Sequence, residues 1–347
     1  MLMQGSSREP QHPIAILRRL KYKGPWRFIE NFPSMNGKQK GLMKLNSRID
    51  RCLRAALLPV LLFCLATLLA ACSLFTAKPV QPARIAVVLG AGASKGFAHI
   101  GVLKVLEAQQ VPVHMVVGTS AGSIVGSLYA SGKNGFELQA IAMKMEKDKV
   151  IDYDWKIWKG GLIKGEKLER FINAAVNHAP IEKLKIPFYA VATNAGTGEE
   201  MVFGRGNTGV AVHASCSVPG VFQPVRIGKD TYVDGGVVSP VAVDVARRYG
   251  ADVVIAVDIS GGLDKDAPSG VMNTMQKTFN IMYAKNVAAQ LKNADVVIRP
   301  NVEEIGSTDM EKFNQAIFEG EKAATAALPE IRKVLDKLNA EGRLPVR

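Results

Sequence analysis

The feature that most restricts the fold is an apolar strand that runs into a glycine-rich turn and then into a helix. Arg84–Leu89 is a continuous run of apolar and β-branched residues after its first position, and Gly90–Gly96 follows it directly. Phe97–Gln109 then carries apolar residues at helical spacing. A short, uninterrupted apolar strand coupled to a helix is typical of a parallel sheet whose two faces are both covered.

The same alternation of strands and helices continues along the chain. Val113–Val117 is predicted as a second buried strand, and Ser120–Ala130 as the helix after it. Later strands are predicted at Ile186–Thr193, Thr231–Val233, Val253–Ile259 and Val296–Ile298, and helices near Glu166–Ala175, Val241–Tyr249, Met272–Leu291 and Glu311–Leu338. The sequence therefore predicts one α/β domain over residues 84–300, with a mostly parallel central sheet between helices, and a helical C-terminal extension over residues 301–347.

The net charge of +13 does not indicate a nucleic-acid-binding surface. Residues 1–71 carry a net charge of +9, which leaves +4 for the rest of the chain. A protein that follows a nucleic-acid backbone spreads its basic residues over a folded face. The distribution therefore argues against a nucleic-acid partner.

Residues 55–71 form an uncharged apolar run that follows several basic residues. Seventeen residues is the lower limit for a membrane-spanning helix, and Pro59 weakens that interpretation further. A basic segment, a short apolar core and small residues before a cleavage site are typical of a secretory signal. Residues 43–71 are therefore predicted as the signal peptide, and residues 1–42 as a non-native or disordered extension. An uncleaved anchor is the alternative.

The end of this run, Leu69-Ala-Ala-Cys72, resembles the lipobox of bacterial lipoproteins. The resemblance implies that Cys72 becomes the acylated first residue of the mature chain, and that residues 72–83 carry the lipid anchor and a linker. It implies a location in the bacterial cell envelope, facing the periplasm, and Ser73 favours the outer membrane. Cys216 is then the one unmodified cysteine of the mature chain, which excludes an internal disulfide and a CxxC metal site.

Gly118-Thr-Ser120-Ala-Gly122 places a serine between a predicted strand and a predicted helix. A nucleophile elbow needs glycines on both sides of the serine, because neighbouring side chains would clash in the sharp turn. The helix N-terminus behind the serine stabilises developing negative charge. Ser120 is therefore predicted as a nucleophile, and a serine that only caps the following helix is the alternative.

The base that would serve this serine is less obvious. The usual triad follows the order Ser, Asp or Glu, His, and after Ser120 the chain offers only His178 and His213 as the histidine. Asp234-Gly235-Gly236 instead places an acid at the end of a predicted strand. A buried carboxylate there would take the serine proton directly if burial raised its pKa. An ordinary Asp-Gly hairpin turn is the alternative.

Gly90–Gly96 has two interpretations. A phosphate cradle is one, but the dinucleotide spacing G-x-G-x-x-G fails because Gly96 comes one residue too late, and no Gly-Lys-Ser/Thr follows. An oxyanion hole is the other, since exposed N–H groups at a helix start stabilise a developing oxyanion.

Together, these motifs resemble those of the patatin-like phospholipase family. The resemblance runs from about Ile85 to about Ile259 and rests on Leu89–Leu103, Gly118–Gly122, Ser215–Pro224 and Asp234–Gly236. It implies the three-layer patatin-like α/β fold and a Ser-Asp dyad that needs no metal or other cofactor. In this dyad Ser120 is the nucleophile and Asp234 the general base.

The resemblance also implies an oxyanion hole. It assigns the donors to the N–H groups of Gly92 and Ala93, supported by Lys95 and Gly96. The family usually has three or four consecutive glycines where this chain has Gly-Ala-Gly-Ala. Alanine keeps the backbone donor if its φ stays negative.

The expected function is hydrolysis of the acyl esters of membrane phospholipids or lysophospholipids through an acyl-Ser120 intermediate. Two alternatives stay open, namely an inactive member of the fold that binds lipid, and a thioesterase or general esterase. Residues 150–165 mix Tyr153 and two tryptophans with lysines, which suits either a lipid headgroup surface or a packed connector.

Overall fold

The computed structural model describes residues 81–145, 150–153, 162–261 and 281–344, together with Cys52, residues 55–57 and Pro59. The chain divides into two units, Met1–Lys78 and Pro79–Arg347, and the architecture below is that of the second. Most of the predicted signal peptide, and Cys72, lie outside the described residues. Within the described part, no helix combines the length and the apolar character that crossing a bilayer requires.

The described strands form one sheet with a parallel centre. They are β1 Ile85–Leu89, β2 Met115–Thr119, β3 Phe188–Asn194, β4 Glu200–Phe203, β5 Val225–Ile227, β6 Asp230–Asp234, β7 Val253–Val257 and β8 Val296–Ile298. Their order is β5-β6-β3-β2-β1-β7-β8, and β4 also pairs with β3. In the spatial order β3-β2-β1-β7-β8, each strand pairs in parallel with the next. The pairs β3–β4, β3–β6 and β5–β6 are antiparallel. The predicted mostly parallel sheet is confirmed.

Helices cover both faces of this sheet, as the sequence predicts. They are α1 Ala98–Ala108, α2 Ala121–Ala130, α3 Gly135–Met143, α4 Glu166–Ala175, α5 Thr208–Ser215, α6 Val243–Arg248, α7 with helical residues 281–290, and α8 Phe313–Ala340. Successive residues of β1 point to opposite faces. Val87 packs in the apolar cluster that includes α1, α2 and α8, and Val88 in the cluster that includes α6 and α7.

Several short elements were not predicted. Strand β4 is half-buried along its whole length, and α3 and α5 are short helices without a clear apolar stripe. For α3 a signal was available, because Asn134 and Glu137 form a capping box. The second strand begins later than predicted, at Met115, since the preceding His114 ring accepts the N–H of Ile85 at 3.1 Å.

The chain enters the domain at the edge of the sheet where β1 begins. The N–H of Ala83 donates to the carbonyl of Arg343 at 2.8 Å. The carboxylate of Asp252 accepts the N–H of Arg84 at 2.8 Å and pairs with the Arg343 guanidinium at 2.6 Å. The segment before β1 and the end of the C-terminal helix are therefore held together at this edge.

The C-terminal helix α8, in the region predicted as an extension, packs directly against α1. A Cβ atom on Gly320 would overlap the carbonyl oxygen of Ala98, and a Cβ on Gly101 would overlap that of Ile317. Buried residues of α8, among them Ile331, join the same apolar cluster as the sheet. This helix thus forms part of the layer that covers the sheet.

Gly320→Ala should destabilise the protein by about 3 kcal/mol or more, because the added methyl forces two helix backbones apart. Thermal unfolding followed by circular dichroism measures the change. Gly196→Ala is the matched control, since its new methyl would meet only Asn194 Oδ1 at 3.4 Å. We expect it to shift stability by less than about 0.5 kcal/mol. Equal melting temperatures for Gly320→Ala and the wild type would contradict the close packing.

Candidate active site

The strand register brings Ser120 and Asp234 to one point. Strand β4 pairs with one side of β3, so β2 and β6 share the other side. The last residue of β2, Thr119, lies opposite Val191 of β3. The last residue of β6, Asp234, lies opposite Ala192, the next residue of β3. Because β2 and β6 run in opposite directions, their C-terminal ends meet. Ser120, the residue after β2, therefore lies beside Asp234.

Ser120 adopts a backbone conformation that favours glycine. Its φ is +53° and its ψ is −122°, a combination that costs a non-glycine residue about 1–3 kcal/mol. Its side chain makes no capping hydrogen bond to α2, and only its carbonyl oxygen accepts the N–H groups of Ser123 and Ile124. The alternative in which Ser120 serves only as a helix cap is wrong.

The glycines of the elbow are explained by the way α2 folds back on β1 and β2. A Cβ on Gly118 would lie 2.5 Å from the carbonyl oxygen of Gly122. A Cβ on Gly122 would overlap the carbonyl oxygen of Leu89, at the end of β1. Each glycine therefore allows an approach between backbones that no other residue permits.

Asp234 is buried at the end of β6, with 4% of its surface exposed. Its Oδ1 accepts the N–H of Gly236 at 2.6 Å, while Oδ2 is buried with no hydrogen-bond partner in the described part of the chain. Burial raises the pKa of Asp234 to about 6, although the nearby Ser120 hydroxyl and the Gly236 N–H lower it. The carboxylate is thus poised to accept a proton near neutral pH.

The Ser120 hydroxyl is close enough to Asp234 to affect its pKa, yet the contact does not meet the geometry of a formed hydrogen bond. Catalytic hydrogen bonds are often loose without substrate and tighten in the substrate complex. The Asp-Gly hairpin alternative is wrong, because Gly235–Val237 forms a single turn of 3-10 helix after β6.

One short segment holds both members of the dyad. The Ser215 hydroxyl accepts the N–H of Ser120 at 2.9 Å and donates to the carbonyl of Val191 at 2.6 Å. The carbonyl of Ser217 accepts the N–H of Asp234 at 2.8 Å. Both serines are fully buried. Both serines belong to the motif Ser215–Pro224, for which the sequence predicts no role. Their spacing of two residues at the end of α5 was the available signal.

Cys216, between these two serines, packs beside the dyad. Its Sγ lies 3.6 Å from the Ser123 hydroxyl oxygen. Burial raises the pKa of the Cys216 thiol, and the nearby Asp234 carboxylate raises it further. The group is therefore a neutral thiol that fills space rather than a competing nucleophile.

The turn after β1 presents the expected backbone donors. The N–H groups of Gly90 and Ala91 donate to carbonyls of β7 and of the loop before α6, at 3.1 and 2.9 Å. Those of Gly92 and Ala93 donate to no acceptor among the described residues, as donors of an oxyanion hole must. The condition of a negative φ is not met at Ala93, whose φ is +53°. The turn keeps its shape at the cost of backbone strain.

Three side chains and one glycine hold this turn in place. Lys95 Nζ donates to the carbonyl of Ser260 at 3.2 Å, and burial lowers the pKa of Lys95. A Cβ on Gly96 would lie 2.6 Å from Ala121 Cβ, so Gly96 lets the turn pack against α2. The Tyr283 hydroxyl donates to the carbonyl of Ala91 at 2.5 Å. His99 Nε2 bonds the carbonyl of Gly90 at 2.8 Å. Tyr283 was missed because it lies far along the chain from the motifs.

None of the described histidines contacts the dyad. Burial lowers the pKa of His99 to about 4, so its imidazole is neutral and donates to the turn. His213 Nδ1 lies 3.3 Å from Glu169 Oε2, and His178 is exposed after α4. Asp234 is therefore the one described group in position to act as the base. In the same part of the chain, no cluster of His, Cys, Asp or Glu could hold a metal ion.

A strained serine between a parallel strand and a helix, with a turn of free N–H groups beside it, defines the class of serine hydrolases with a nucleophile elbow. Residues 87–247 match the model of the family described as patatin-like phospholipase. The match includes both Ser120 and Asp234. Over these residues the chain is therefore similar to the patatin-like phospholipase family, as its motifs indicate.

Individual proteins are similar to parts of this chain. The chain is 30% identical over 216 residues to an uncharacterized NTE family protein of Mycobacterium bovis, and the match covers 60% of each chain. It is 27% identical to the lysophospholipase NTE1 of Pyricularia oryzae, over 76% of this chain and 19% of that protein. Among solved structures it is similar to VipD from Legionella pneumophila, with a TM-score of 0.44 and 14% identity over 73% of this chain and 67% of that one. The chain thus spans 60% of the length of the mycobacterial relative.

Substitutions at Ser120 test the backbone strain apart from the chemistry. Ser120→Gly should be more stable than Ser120→Ala by about 1 kcal/mol, because glycine has no Cβ to clash at a positive φ. Differential scanning calorimetry measures the difference. Within α2 the order should reverse, with Ser127→Gly about 1 kcal/mol less stable than Ser127→Ala. An alanine variant at position 120 as stable as the glycine variant would show that no strain is stored there.

Proposed function

We propose that this protein is a serine hydrolase that cleaves acyl esters of membrane phospholipids or lysophospholipids. The observation that carries the proposal is the meeting of Ser120 with the buried carboxylate of Asp234 at the ends of β2 and β6. The match of residues 87–247 to the patatin-like phospholipase model supports a lipid substrate. The similarity to a protein named as a lysophospholipase supports it further.

Acylation follows from the arrangement of these groups. Asp234 takes the proton of the Ser120 hydroxyl as Oγ attacks the ester carbonyl carbon. The carbonyl oxygen becomes an oxyanion, which the N–H groups of Gly92 and Ala93 and the N-terminus of α2 stabilise. The tetrahedral intermediate then expels the alcohol of the lipid, which takes the proton from Asp234, and acyl-Ser120 remains.

Deacylation repeats these steps with water. Asp234 takes a proton from a water molecule as its oxygen attacks the acyl carbonyl. The second tetrahedral intermediate breaks at the bond to Ser120 Oγ, which recovers the proton from Asp234. A fatty acid leaves, and the enzyme returns to its starting state.

Hydrolysis of a panel of defined phospholipids and lysophospholipids by the full chain tests the dyad. Asp234→Asn should lower kcat/KM by about 10²–10⁴-fold, the range for a positioned general base. Ser120→Ala should cost at least as much, and the double variant little more, because nucleophile and base act as one unit. A fluorophosphonate probe should label the wild type and not Ser120→Ala. His178→Ala, on the surface, is the control that should keep the rate.

The other outcomes of this test identify the alternatives. A folded wild type that binds lipid but neither turns it over nor reacts with the probe would be an inactive lipid-binding member of the family. Turnover of thioesters or soluble esters, without turnover of any phospholipid, would identify a thioesterase or general esterase.

The pH profile adds a check on the base. Because Asp234 must be ionised to take the proton, kcat/KM should rise as the pH passes about 6 and level off above it. This rise of kcat/KM around pH 6 should persist in His178→Ala and disappear in Asp234→Asn. A folded His213→Ala variant that lacks this rise would identify a histidine as the base instead.

We further propose that the protein is anchored in the bacterial envelope through an acylated Cys72, facing the periplasm. The basic segment, the apolar run over residues 55–71 and the Leu-Ala-Ala-Cys sequence support this proposal. Mass spectrometry of the membrane-extracted protein should find an acylated Cys72 at the N-terminus, and Cys72→Ala should remain unprocessed. Translation from Met43 should give the same mature product. A wild-type chain that is uncleaved and unmodified would contradict the anchor.

A further inference from the structure

Five exposed apolar side chains lie on segments that are joined, directly or through a neighbouring segment, to the candidate active site. Their exposed fractions range from 40% to 59%, whereas most large apolar side chains of the domain are buried. We call them the apolar rim, which consists of Tyr153, Leu162, Val221, Ile281 and Met282.

The first three residues of the rim are joined to the base side of the dyad. The carbonyl of Val221 accepts the N–H groups of both Leu162 and Ile163 at 2.9 Å. Ile163 also forms an antiparallel bridge with Tyr153. Val221 lies only four residues after Ser217, whose carbonyl holds the backbone of Asp234. These three side chains are therefore exposed on segments that are joined by backbone contacts to the one that holds Asp234.

The other two residues of the rim lie on the oxyanion side. Ile281 and Met282 directly precede Tyr283 in helix α7. Tyr283 donates to the carbonyl of Ala91 at 2.5 Å, and its ring is 3.3 Å from the position that a Cβ of Gly236 would take. The rim thus reaches the site both through the segment that holds Asp234 and through the residue that holds the oxyanion turn.

The charged side chains of these segments are mostly basic. Among their described residues Asp152, beside Tyr153, is the one acidic side chain, and its carboxylate accepts the N–H groups of Gly165 and Lys167. Residues 162–165, 216–224 and 281–293 contain no Asp or Glu, and their charged residues are Lys164, Lys285 and Lys292. Exposed apolar side chains beside lysines match a bilayer surface, where acyl chains accept the apolar groups and anionic headgroups attract the ammonium groups. A water-soluble substrate would need no such surface around the site.

We propose that the apolar rim docks on a lipid bilayer containing anionic lipids and so presents the ester bond of a membrane lipid to Ser120. This inference rests on the proposed acyl hydrolase function and names the physical state in which the substrate is bound. It also accounts for Tyr153 and Leu162, which flank the aromatic and lysine-rich part of residues 150–165. Leu162 is exposed and its neighbour Ile163 buried, so this segment both packs and presents an apolar side chain.

Phe136 and Phe318 provide matched controls. Their exposed fractions, 71% and 61%, exceed those of the rim. They lie on α3 and α8, and the Phe136 ring faces Lys104 Nζ, with 4.8 Å between the nitrogen and the ring centroid. Hydrophobicity and exposure alone would make these two residues bind lipid at least as strongly as Val221.

Quenching by brominated lipids tests the docking directly. Val221→Trp and Phe318→Trp are made in the full chain with Ser120→Ala, so the lipids stay intact, and Ser120→Ala alone supplies the background signal. Vesicles of phosphatidylethanolamine and phosphatidylglycerol carry bromine on their acyl chains. The added fluorescence of Val221→Trp should fall by about half or more, since the rim inserts at the acyl boundary, and that of Phe318→Trp should not fall. Equal quenching of the two variants, or none, would overturn the proposal.

Turnover provides a second measurement. Leu162→Asp and Val221→Asp should lower the ratio of phospholipid turnover on vesicles to turnover of a dispersed short-chain ester by about tenfold, which corresponds to about 1.4 kcal/mol. Phe318→Asp should leave this ratio within about twofold, as expected for a surface change away from the interface. A ratio unaffected by the rim variants would contradict docking. If the wild type hydrolyses neither substrate, the proposed function fails and the quenching measurement alone decides the rim.

Discussion

The catalytic geometry depends on strand β3, because β2 and β6 pair end to end along the same side of it. Val191 and Ala192 are neighbours on β3, and they fix the last residue of β2 and of β6 respectively. The Thr193 hydroxyl adds a hydrogen bond of 2.9 Å to the carbonyl of Asp234. Since a slip of one residue turns every side chain to the other face of a sheet, this register decides whether Asp234 faces Ser120.

The site is built from groups that are unfavourable for folding. Ser120 and Ala93 both have φ of +53°, and Asp234 buries a carboxylate whose Oδ2 has no hydrogen-bond partner in the described part of the chain. The rise of the Asp234 pKa from 3.8 to about 6 corresponds to a cost on the order of 3 kcal/mol. The folded state holds this proton more tightly than the unfolded state, so the cost is full above about pH 6 and absent below about pH 4. The extensive apolar packing on both faces of the sheet offsets it.

The two side chains of the proposed dyad are predictable from the sequence, but the contacts that bring them together are not. Ser120 and Asp234 stand in short motifs whose glycines signal tight backbone turns, and the parallel strands are continuous apolar runs, so both were predictable. The meeting of β2 and β6 depends on the pairing of β3 with half-buried antiparallel strands, which carry weak signals. Ser215 and Tyr283 act through hydrogen bonds to distant parts of the chain. The positive φ of Ala93 shows that an alanine can adopt a backbone conformation that glycine usually occupies.

The position at which the chain joins β1 limits how far the active site can lie from Cys72. Ala83 and Arg343 are bound together at the edge where β1 begins, whereas Ser120 lies beyond the opposite ends of the parallel strands. Five residues of β1 span about 16 Å, and the twelve residues of 72–83 extend to about 40 Å at most. If Cys72 carries the proposed lipid anchor, the length of this linker limits the distance between the membrane and the active site. On that proposal, shortening the linker would reduce the greatest distance that the site can reach from the anchored residue.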